Sequence, residues 1–358
     1  MNHKERVLSA LAWEGYDRLP VRYMGEPVVS EALRGHFDVS DHDALLECLG
    51  EDLRYVQPVY RGRQPVAFPD GSYESSWPRH AWPVGEHYRD VRYGDGAYAE
   101  EVFRPFERME DPEELSAHSF LSLGDFDFSS IKDQCQRHDE YAIVTGQPGI
   151  LDFINGIAHS RGIEQVFMDI ALEYPVYLAL VEEKFSFQYA LIENTLQAAE
   201  GVIDIVHTGE DLATQRGLLI SPAKFEKLFA PRYEEFFSMV HSYGAKTMMH
   251  CCGSPRRLLL RLIELGLDIL DVVQVSAENM DIRSLAEEFS GKLAFCGTMD
   301  VQGFMPRATV DEVRREVALR QELFPDGGLI IGPSHNVQVD TPLENILALY
   351  EAAGSLER

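Results

Sequence analysis

The feature that most constrains the fold is an alternation, beginning near residue 140, between short apolar runs and longer helix-like segments. The apolar runs occupy residues 141–145, 202–207, 247–250, 269–275, 293–296 and 329–332. The helix-like segments occupy residues 164–198, 221–243, 254–265, 281–289, 309–323 and 342–353. The first of these is long enough to be one helix or two packed end to end. Strands that alternate with helices are typical of βαβ units on a parallel sheet. With one or two further strands expected among residues 17–60, the count approaches eight and predicts an α/β protein, a (β/α)8 TIM barrel rather than an open doubly wound sheet.

Two of the predicted helices begin with a recognisable start signal. Ser221 precedes Pro222, and Thr341 precedes Pro342 with Glu344 two residues later. A hydroxyl side chain before a first-turn proline is a typical N-cap arrangement, and a glutamate at the third helical position completes a capping box. We therefore expect Ser221 and Thr341 to cap their helices.

The first hundred residues do not share this alternation. Residues 5–14 predict a short helix that ends before Pro20, and residues 57–100 are rich in Pro, Gly, Tyr and Trp, which favours hairpins and loops. We predict one domain over residues 1–358, with residues 1–100 as an irregular extension packed on the barrel. The tryptophans Trp77 and Trp82 are interpreted as a small hydrophobic cluster rather than a sugar-binding platform.

Composition excludes several classes of function. The chain has 32 Lys and Arg against 59 Asp and Glu, a net charge of -27, which argues against binding to nucleic acid or to an anionic membrane. No apolar stretch reaches the ~20 residues of a membrane span, and no secretory signal is visible. Five cysteines, an odd number, suit a reducing compartment, so a cytoplasmic protein is expected. No glycine-rich nucleotide motif follows a strand, so a nucleotide-binding function is not supported.

Polar residues follow nearly every predicted strand. They are Gln147, His207, Glu210, Asp211, Gln215, His250, Cys251, Cys252, Gln274, Ser276, Cys296, Thr298, Asp300, Ser334, His335 and Asn336. In a parallel barrel the carboxyl ends of the strands form the active-site face. Burying this many polar groups at one rim without a ligand would be costly. The sequence therefore predicts a site at this rim.

His250 and Cys252 are the most specific indication of a site among these residues. In an extended chain, side chains two residues apart lie on the same side, so an imidazole and a thiol would converge. Zinc accepts both donors, and a catalytic zinc usually has three protein ligands and one open position. Because side chains alternate along an extended chain, Cys251 should face away from Cys252, and it is discounted as a ligand. The candidates for the third ligand are His335, Cys296, Glu210 and Asp211.

Two alternatives stand beside the metal interpretation. A His–Cys pair taken alone more often fills a core than binds a metal, because free cysteine is among the most buried residue types. The position of the pair at a strand end, before Gly253, is what favours a metal site. His207 ends an apolar run and is better explained as a buried core histidine than as a ligand.

At this point the chain resembles the uroporphyrinogen decarboxylase superfamily. The residues that carry the resemblance are Asp17-Arg18-Leu19-Pro20-Val21, the segment His-Ser-Tyr-Gly-Ala-Lys at 241–246, His250-x-Cys252-Gly253, the segment Leu-Gly-Leu-Asp-Ile-Leu at 265–270, and Thr341-Pro342-x-Glu344-Asn345. The resemblance extends from near residue 5 to near residue 350 and is densest from 200 to 350. It implies a single-domain TIM barrel, and it leaves two chemistries open.

One branch of the superfamily is the decarboxylase itself, a cofactor-free enzyme of haem synthesis. The chain is similar to it at His335, with Thr341-Pro342 following at the family's spacing. That enzyme uses an arginine-rich N-terminal segment to hold the carboxylates of its tetrapyrrole, and an aspartate that binds the pyrrole NH groups. Here residues 18–27 lack the later arginines and include Glu26. An octa-anionic substrate would meet like charge in a chain of net charge -27, so the decarboxylase is the weaker alternative.

The other branch comprises zinc-dependent methyltransferases that move a methyl group between a corrinoid protein and a thiol or a pterin. Their metal motif is His-x-Cys with a later Cys. His250 and Cys252 match the first two positions, and His335 falls at the third. A His–Cys–His set is acceptable to zinc and makes the metal less electron-rich than a set with two thiolates. This resemblance implies Zn²⁺ as cofactor, a small-molecule substrate and a corrinoid on a partner protein.

The implied mechanism assigns roles to further residues. Zinc lowers the pKa of a bound substrate thiol from about 8.5, and the resulting thiolate attacks the methyl group. Glu210 or Asp211 would serve as a fourth ligand or as the base, while Gln147, Gln215 and Asn336 would orient the substrate. A non-catalytic binder of a small molecule or corrinoid is a third interpretation, and a homodimer is left open. If the metal hypothesis holds, His250, Cys252 and His335 must approach within about 6 Å of one another.

Overall fold

The computed structural model describes residues 1–64, 66–74, 86–93 and 96–356. The helices are α1 His3–Leu11, α2 Pro27–Phe37, α3 His42–Leu49, α4 Ile131–Arg137, α5 Asn155–Arg161, α6 Ile163–Leu172, α7 Pro175–Ala198, α8 Pro222–Leu228, α9 Ala230–Ser242, α10 Leu259–Glu264, α11 Ile282–Phe289, α12 Val310–Leu323 and α13 Leu343–Ala353. The strands are β1 Leu53–Tyr55, β2 Val59–Tyr60, β3 Tyr73–Glu74, β4 His87–Tyr93, β5 Gly96–Phe103, β6 Phe126–Asp127, β7 Ala142–Gly146, β8 Ile205–Gly209, β9 Ala213–Thr214, β10 Gly217–Leu218, β11 Lys246–His250, β12 Ile269–Asp271, β13 Ala294–Cys296 and β14 Leu329–Ile330. Short 3-10 helices lie at Pro112–Ala117, Leu123–Asp125 and Arg256–Leu258. Within these ranges, no helix combines the length and the apolar character that crossing a bilayer requires.

Seven of the described strands form one parallel sheet in the order β1-β7-β8-β11-β12-β13-β14. Residues 20–22 form backbone hydrogen bonds with residues adjoining both edge strands of this sheet, β14 and β1. On one side Ile331 N donates to Pro20 O (2.8 Å) and Arg22 N donates to Ile331 O (2.9 Å). On the other side Asp52 N donates to Val21 O (3.1 Å). The architecture is therefore α/β and TIM-barrel-like, as the strand rhythm predicts.

The interior enclosed by the sheet has an apolar floor and a polar upper layer. Helix α1 places Val7 and Leu11 against the floor. The floor residues from the sheet are Leu53, Ala142, Val144, Ile205, Met248, Ile269, Ala294, Cys296 and Ile330. Because side chains alternate along a strand, the next inward positions toward the carboxyl ends of the strands are available for polar residues. These positions carry the site described below.

Proline divides the two longest predicted helical segments, and for residues 164–198 this is the second of the two expected arrangements. The predicted helix 164–198 contains two helices, α6 and α7, separated at Glu173, whose φ of 56° is left-handed, and α7 begins at Pro175. The predicted helix 221–243 likewise contains α8 and α9, divided at Phe229 ahead of Pro231. Proline lacks an N–H and cannot continue a preceding helix, so each proline starts a new one.

The N-terminal region is more ordered than an irregular extension. Helix α1 corresponds to the short helix predicted at 5–14. The prediction is wrong for residues 27–49, where α2 and α3 lie and where Asp41 caps α3 by accepting a hydrogen bond from Ala44 N (2.8 Å). Leu33 and Leu45 belong to the same buried cluster as the helices around the sheet. Such short helices have weak periodicity in the sequence, and packing stabilises them. Strands β3–β5 form an antiparallel sheet in the region predicted as hairpins, while Trp77 and Trp82 lie outside the described residues.

One of the two predicted caps is present. The Ser221 hydroxyl accepts a hydrogen bond from Lys224 N (3.3 Å) at the start of α8. At α13 the cap position is Pro342, without a side-chain cap, and Thr341 Oγ1 is buried with no hydrogen-bond partner among the described residues. The prediction for Thr341 is wrong because α13 begins one residue later than the motif indicates.

Candidate metal centre

Three predicted ligands converge at the carboxyl end of the sheet. His250 ends β11, Cys252 follows two residues later, and His335 lies in the loop after β14. Cys252 Sγ is 3.4 Å from His250 Nε2, and the rings of His250 and His335 are 5.6 Å apart at 74°. One ligand atom from each of the three residues lies within 4.8 Å of the other two. This separation satisfies the limit of about 6 Å set by the metal hypothesis.

The backbone after β11 is held in place by the loop that follows β8. Cys252 N donates to Asp211 Oδ1 (2.8 Å), and Glu210 N donates to His250 O (2.9 Å). The chain then turns at Gly253, whose φ is 80° and where a Cβ would lie 2.4 Å from Thr214 O. Only glycine fits that conformation and that contact. This turn follows directly after Cys252, and it fixes the path of the chain away from the two candidate ligands at the end of β11.

The other edge of the His250 ring faces a buried carboxylate. His250 Nδ1 lies 3.4 Å from Asp271 Oδ2, and His207 Nε2 lies 3.1 Å from the same oxygen. Arg22 Nη1 donates to Asp271 Oδ1. Tyr55 OH is 3.0 Å from His207 Nδ1. Strand register explains the grouping, because β11 pairs with β12 so that His250 lies opposite Asp271.

Burial and charge set the protonation states in this network. Burial alone would raise the pKa of Asp271, but Arg22 and the two histidines outweigh it and hold that pKa well below its usual value. Burial lowers the pKa of His207 to about 4, so this ring is neutral. Burial also acts to lower the pKa of His250, but Asp271 and Cys252 outweigh it and raise that pKa to about 10. The surroundings of His250 thus favour a positive charge at this imidazole.

The donor set fits zinc. Two imidazoles and one thiol are ligands that zinc prefers, and burial lowers the pKa of His335, which keeps its lone pair available. A metal-bound histidine almost always directs its other ring nitrogen to a carboxylate or carbonyl, and Asp271 occupies that position for His250. The residues His250, Cys252 and His335 are therefore able to hold such an ion.

A second group, His207, His250 and Asp271, also places one atom of each residue within 4.8 Å of the others. The ring N–H groups of the two histidines face Asp271 Oδ2 at ion-pair distance, without good hydrogen-bond geometry. Arg22 already balances the carboxylate charge. We therefore interpret His207 and Asp271 as buried residues that support His250, rather than as ligands of a second metal.

A cavity of about 440 Å³ borders two of the three converging residues, Cys252 and His335. Its lining residues are Cys252, Gln274, Val301, Gln302, His335, Asn336, Gln338, Val339 and Asp340. We refer to it below as the rim cavity. Two of the three candidate ligands thus border a space large enough for a small substrate.

The two predicted carboxylates have different surroundings. Asp211 lies beside the centre, where its oxygens accept from Cys252 N (2.8 Å) and Asn155 Nδ2 (3.0 Å). Glu210 accepts instead from Phe153 N (2.8 Å) and Ile154 N (3.2 Å), and burial raises its pKa well above the usual value. The expectation of Glu210 as ligand or base is corrected, since its carboxylate binds the backbone ahead of α5 and is not in the group with the three ligands.

The three amide side chains that were predicted to orient the substrate lie in different places. Asn336 lines the rim cavity, and Gln215 donates to Gln274, another lining residue. Gln147 lies elsewhere, beside a small separate cavity that Gln57 and Thr195 also line. Gln147 is therefore not part of the rim cavity, because the chain after β7 turns toward α7.

The other two cysteines near the strand ends are not in the group. Cys251 is fully buried in the core, and burial raises its pKa well above the usual value. Cys296 belongs to the apolar floor, lies 3.6 Å from Arg22 Nη1, and has its pKa raised by burial. Among the candidates for the third ligand, the structure therefore brings His335 to His250 and Cys252.

Sequence reasoning missed Asp271, Arg22 and Tyr55. Asp271 interrupts the apolar run 269–275, and an acid inside such a run signals a buried partner. Arg22 follows the apolar residue Val21 and gives a similar signal. That the two side chains meet follows only from the return of the chain to its first strand-like segment.

Comparisons with known proteins are consistent with this geometry. The family model described as Uroporphyrinogen decarboxylase (URO-D) matches residues 167–356. No curated protein sequence matches the chain. Among solved structures, a methyltransferase from Methanosarcina mazei aligns over 99% of this chain and 98% of its own, at 15% identity and a TM-score of 0.67. The 3-keto-D-glucoside 4-epimerase YcjR from E. coli aligns over 63% of this chain and 94% of its own, at 12% identity and a TM-score of 0.37. The likeness to the first structure shows a shared fold.

Proposed function

The chain belongs to the uroporphyrinogen decarboxylase family, and on this premise we propose that it is a zinc-dependent methyltransferase. It would move a methyl group between a corrinoid on a partner protein and a thiol or another small acceptor. The observation that carries the proposal is the convergence of His250, Cys252 and His335 beside the rim cavity. The proposal includes a closed barrel in which residues 20–22 take the eighth strand position.

The decarboxylase alternative has less support. A tetrapyrrole with many carboxylates requires several cations to hold it. The described residues that line the rim cavity include no Lys or Arg, and Arg22 is buried against Asp271. Decarboxylation without a cofactor also leaves the approach of Cys252 to His250 without a role. A non-catalytic binder is the third alternative, which a closed metal coordination shell would favour.

The residues of this chain would divide the work as follows. Zinc held by His250, Cys252 and His335 would supply a Lewis acid that lowers the pKa of a thiol at its open position. Asp271 lies beside Nδ1 of His250, on the ring edge away from Nε2, and Nε2 is the nitrogen that would bind the ion. Asp211 holds the backbone of Cys252 and thereby fixes the thiol. With both of its oxygens already accepting hydrogen bonds, Asp211 is a positioning residue in this proposal, not the base.

Elemental analysis of protein purified without chelators tests the proposal. We expect about one zinc per chain in the wild type, and loss of most of it in H250A and C252A. C251A is the matched control, because it removes the adjacent thiol from the core and leaves the three ligands in place. Methyl transfer from methylcobalamin to a small thiol should disappear together with the metal. A folded wild-type protein without zinc, or equal metal loss in C251A, would contradict the proposal.

A further inference from the structure

One charged side chain that lines the rim cavity and two that lie behind the lining are carboxylates. Asp340 is the charged residue among the described lining residues and is exposed. Behind the lining, the Glu26 carboxylate accepts from Asn336 Nδ2 (3.0 Å) and Gln338 Nε2 (3.5 Å). Asp211 lies behind Cys252. With the thiol of a ligand at the proposed metal, a carboxylate or sulfonate at its other end would find no Lys or Arg among the described lining residues to pair with.

The lining offers carboxamides in place of cations. Gln274, Gln302, Asn336 and Gln338 all border the cavity. Carboxamides both donate and accept hydrogen bonds, and they carry no charge. Their suitable partners are neutral polar groups such as amides and hydroxyls.

The orientation of Gln274 is determined by its neighbours. Gly253 N donates to Gln274 Oε1 (2.9 Å), and Gln215 Nε2 donates to the same oxygen. A backbone N–H is only a donor, so the atom that faces it must be the oxygen. The Gln274 Nε2 donors have no partner among the described residues and are available to a ligand. Since Gln274 is nearly fully buried, an incoming acceptor would satisfy an otherwise unpaired amide.

The orientation of Asn336 is determined in the same way. Glu26 is a carboxylate that accepts hydrogen bonds, so the atom of Asn336 facing it is Nδ2. Asn336 Oδ1 is then left to accept a hydrogen bond, without a donor among the described residues. One cavity thus presents a free donor on Gln274 and a free acceptor on Asn336.

We propose that the rim cavity selects a small uncharged thiol whose polar end both donates and accepts hydrogen bonds, as a primary amide does, and disfavours anionic thiols. This inference rests on the proposed function and specifies its substrate class. Gln274 would donate to the carbonyl of the ligand, and Asn336 would accept from its N–H. The thiol would lie toward Cys252 and His335, which border the same cavity.

A matched pair of thiols tests this selection. 3-Mercaptopropionamide and 3-mercaptopropionate have nearly the same shape and differ in charge. Protein loaded with Co²⁺ in place of zinc provides the readout, because thiolate binding changes the cobalt absorption spectrum without any turnover. After correction for the pKa of each thiol, we expect the amide to bind at least tenfold more tightly than the acid.

Two lysine variants then separate local charge from total charge. Gln302 is exposed at the cavity, so Q302K should reduce the ratio of amide affinity to acid affinity at least threefold. Q136K adds the same charge on the exposed face of α4 and should leave the ratio unchanged. Cobalt binding with equal or tighter binding of the acid overturns this inference alone, as does cobalt binding with no response to either thiol. Failure to bind cobalt at all overturns the proposed function and this inference with it.

Discussion

Asp271 Oδ2 lies 3.4 Å from His250 Nδ1, on the ring edge opposite to the one that faces Cys252. The imidazole therefore has a carboxylate on one side and a candidate metal position on the other. Arg22 holds the second oxygen of the carboxylate from the first strand-like segment of the chain. The His250 ring thus connects the buried Arg22–Asp271 ion pair to Cys252, which lines the rim cavity.

Replacing Asp271 with Asn should weaken zinc binding about 10- to 100-fold, because His250 would lose the carboxylate that orients it. The measurement is zinc affinity from competition with a chromophoric chelator. The same change leaves Arg22 buried without a countercharge, so we expect D271N to lose about 3–5 kcal/mol of unfolding free energy in urea.

The double variant R22M/D271N is the control for that loss of stability. Removing both charges should restore much of the stability, while zinc affinity stays low. If the double variant bound zinc as tightly as the wild type, Asp271 would have no part in positioning His250.

Substitutions at His335 distinguish a ligand from a bystander. H335C supplies a thiolate at the same position, so it should retain one zinc per chain with an affinity at least equal to the wild type. H335A leaves two protein ligands and should lower zinc affinity by about tenfold or more. Both affinities are read from the same chelator competition. Equal affinity in H335A and the wild type would remove His335 from the site.

The stability of the protein should depend on pH through Glu51. Burial raises the pKa of Glu51 to about 8, outweighing Arg54 and Arg22. Between pH 4.5 and 8 the folded state keeps a proton that the unfolded chain releases, so stability from this group is present below pH 4.5 and falls as pH rises to about 8. Relative to E51Q, the unfolding free energy of the wild type should therefore decrease by several kcal/mol between pH 4.5 and about 8.

Urea unfolding of both proteins at pH 5, 6.5 and 8 provides the measurement. Glutamine keeps an oxygen for the Tyr23 N–H, which donates to Glu51 Oε2 (3.0 Å), so E51Q is expected to fold. A stability gap that is the same at all three pH values would show that Glu51 does not hold this proton.

Two substitutions that each remove a hydroxyl should differ in their effect on the free energy of unfolding. S221A removes the N-cap of α8 and should cost about 1 kcal/mol of unfolding free energy. T341V removes a buried hydroxyl that has no partner among the described residues, so it should be neutral or stabilising by up to about 1 kcal/mol. Urea unfolding midpoints at constant slope measure both. A clear loss of stability in T341V would indicate a partner for Thr341 Oγ1.

Part of the candidate site was predictable from short-range pattern. His250 and Cys252 follow from strand alternation at a strand end. Position alone leaves His335 as one of several candidates for the third ligand, and the family resemblance is what singles it out. The error at Glu210 has a physical cause. A carboxylate next to a strand end is equally suited to binding the backbone of a neighbouring loop, and the choice between these roles depends on Phe153 and Ile154, more than 50 residues away in the chain.

The amino-acid sequence by itself determined the alternation of strands and helices, the His250–Cys252 pair and the acidic charge, because these depend on neighbours a few residues apart. Tertiary structure alone decided that Arg22 pairs with Asp271 across 249 residues, that Asp271 lies behind His250, and that amides rather than cations line the rim cavity. Such contacts are set by sheet register and by the return of the chain to its first strand-like segment. Local periodicity carries no information about which distant side chains will meet.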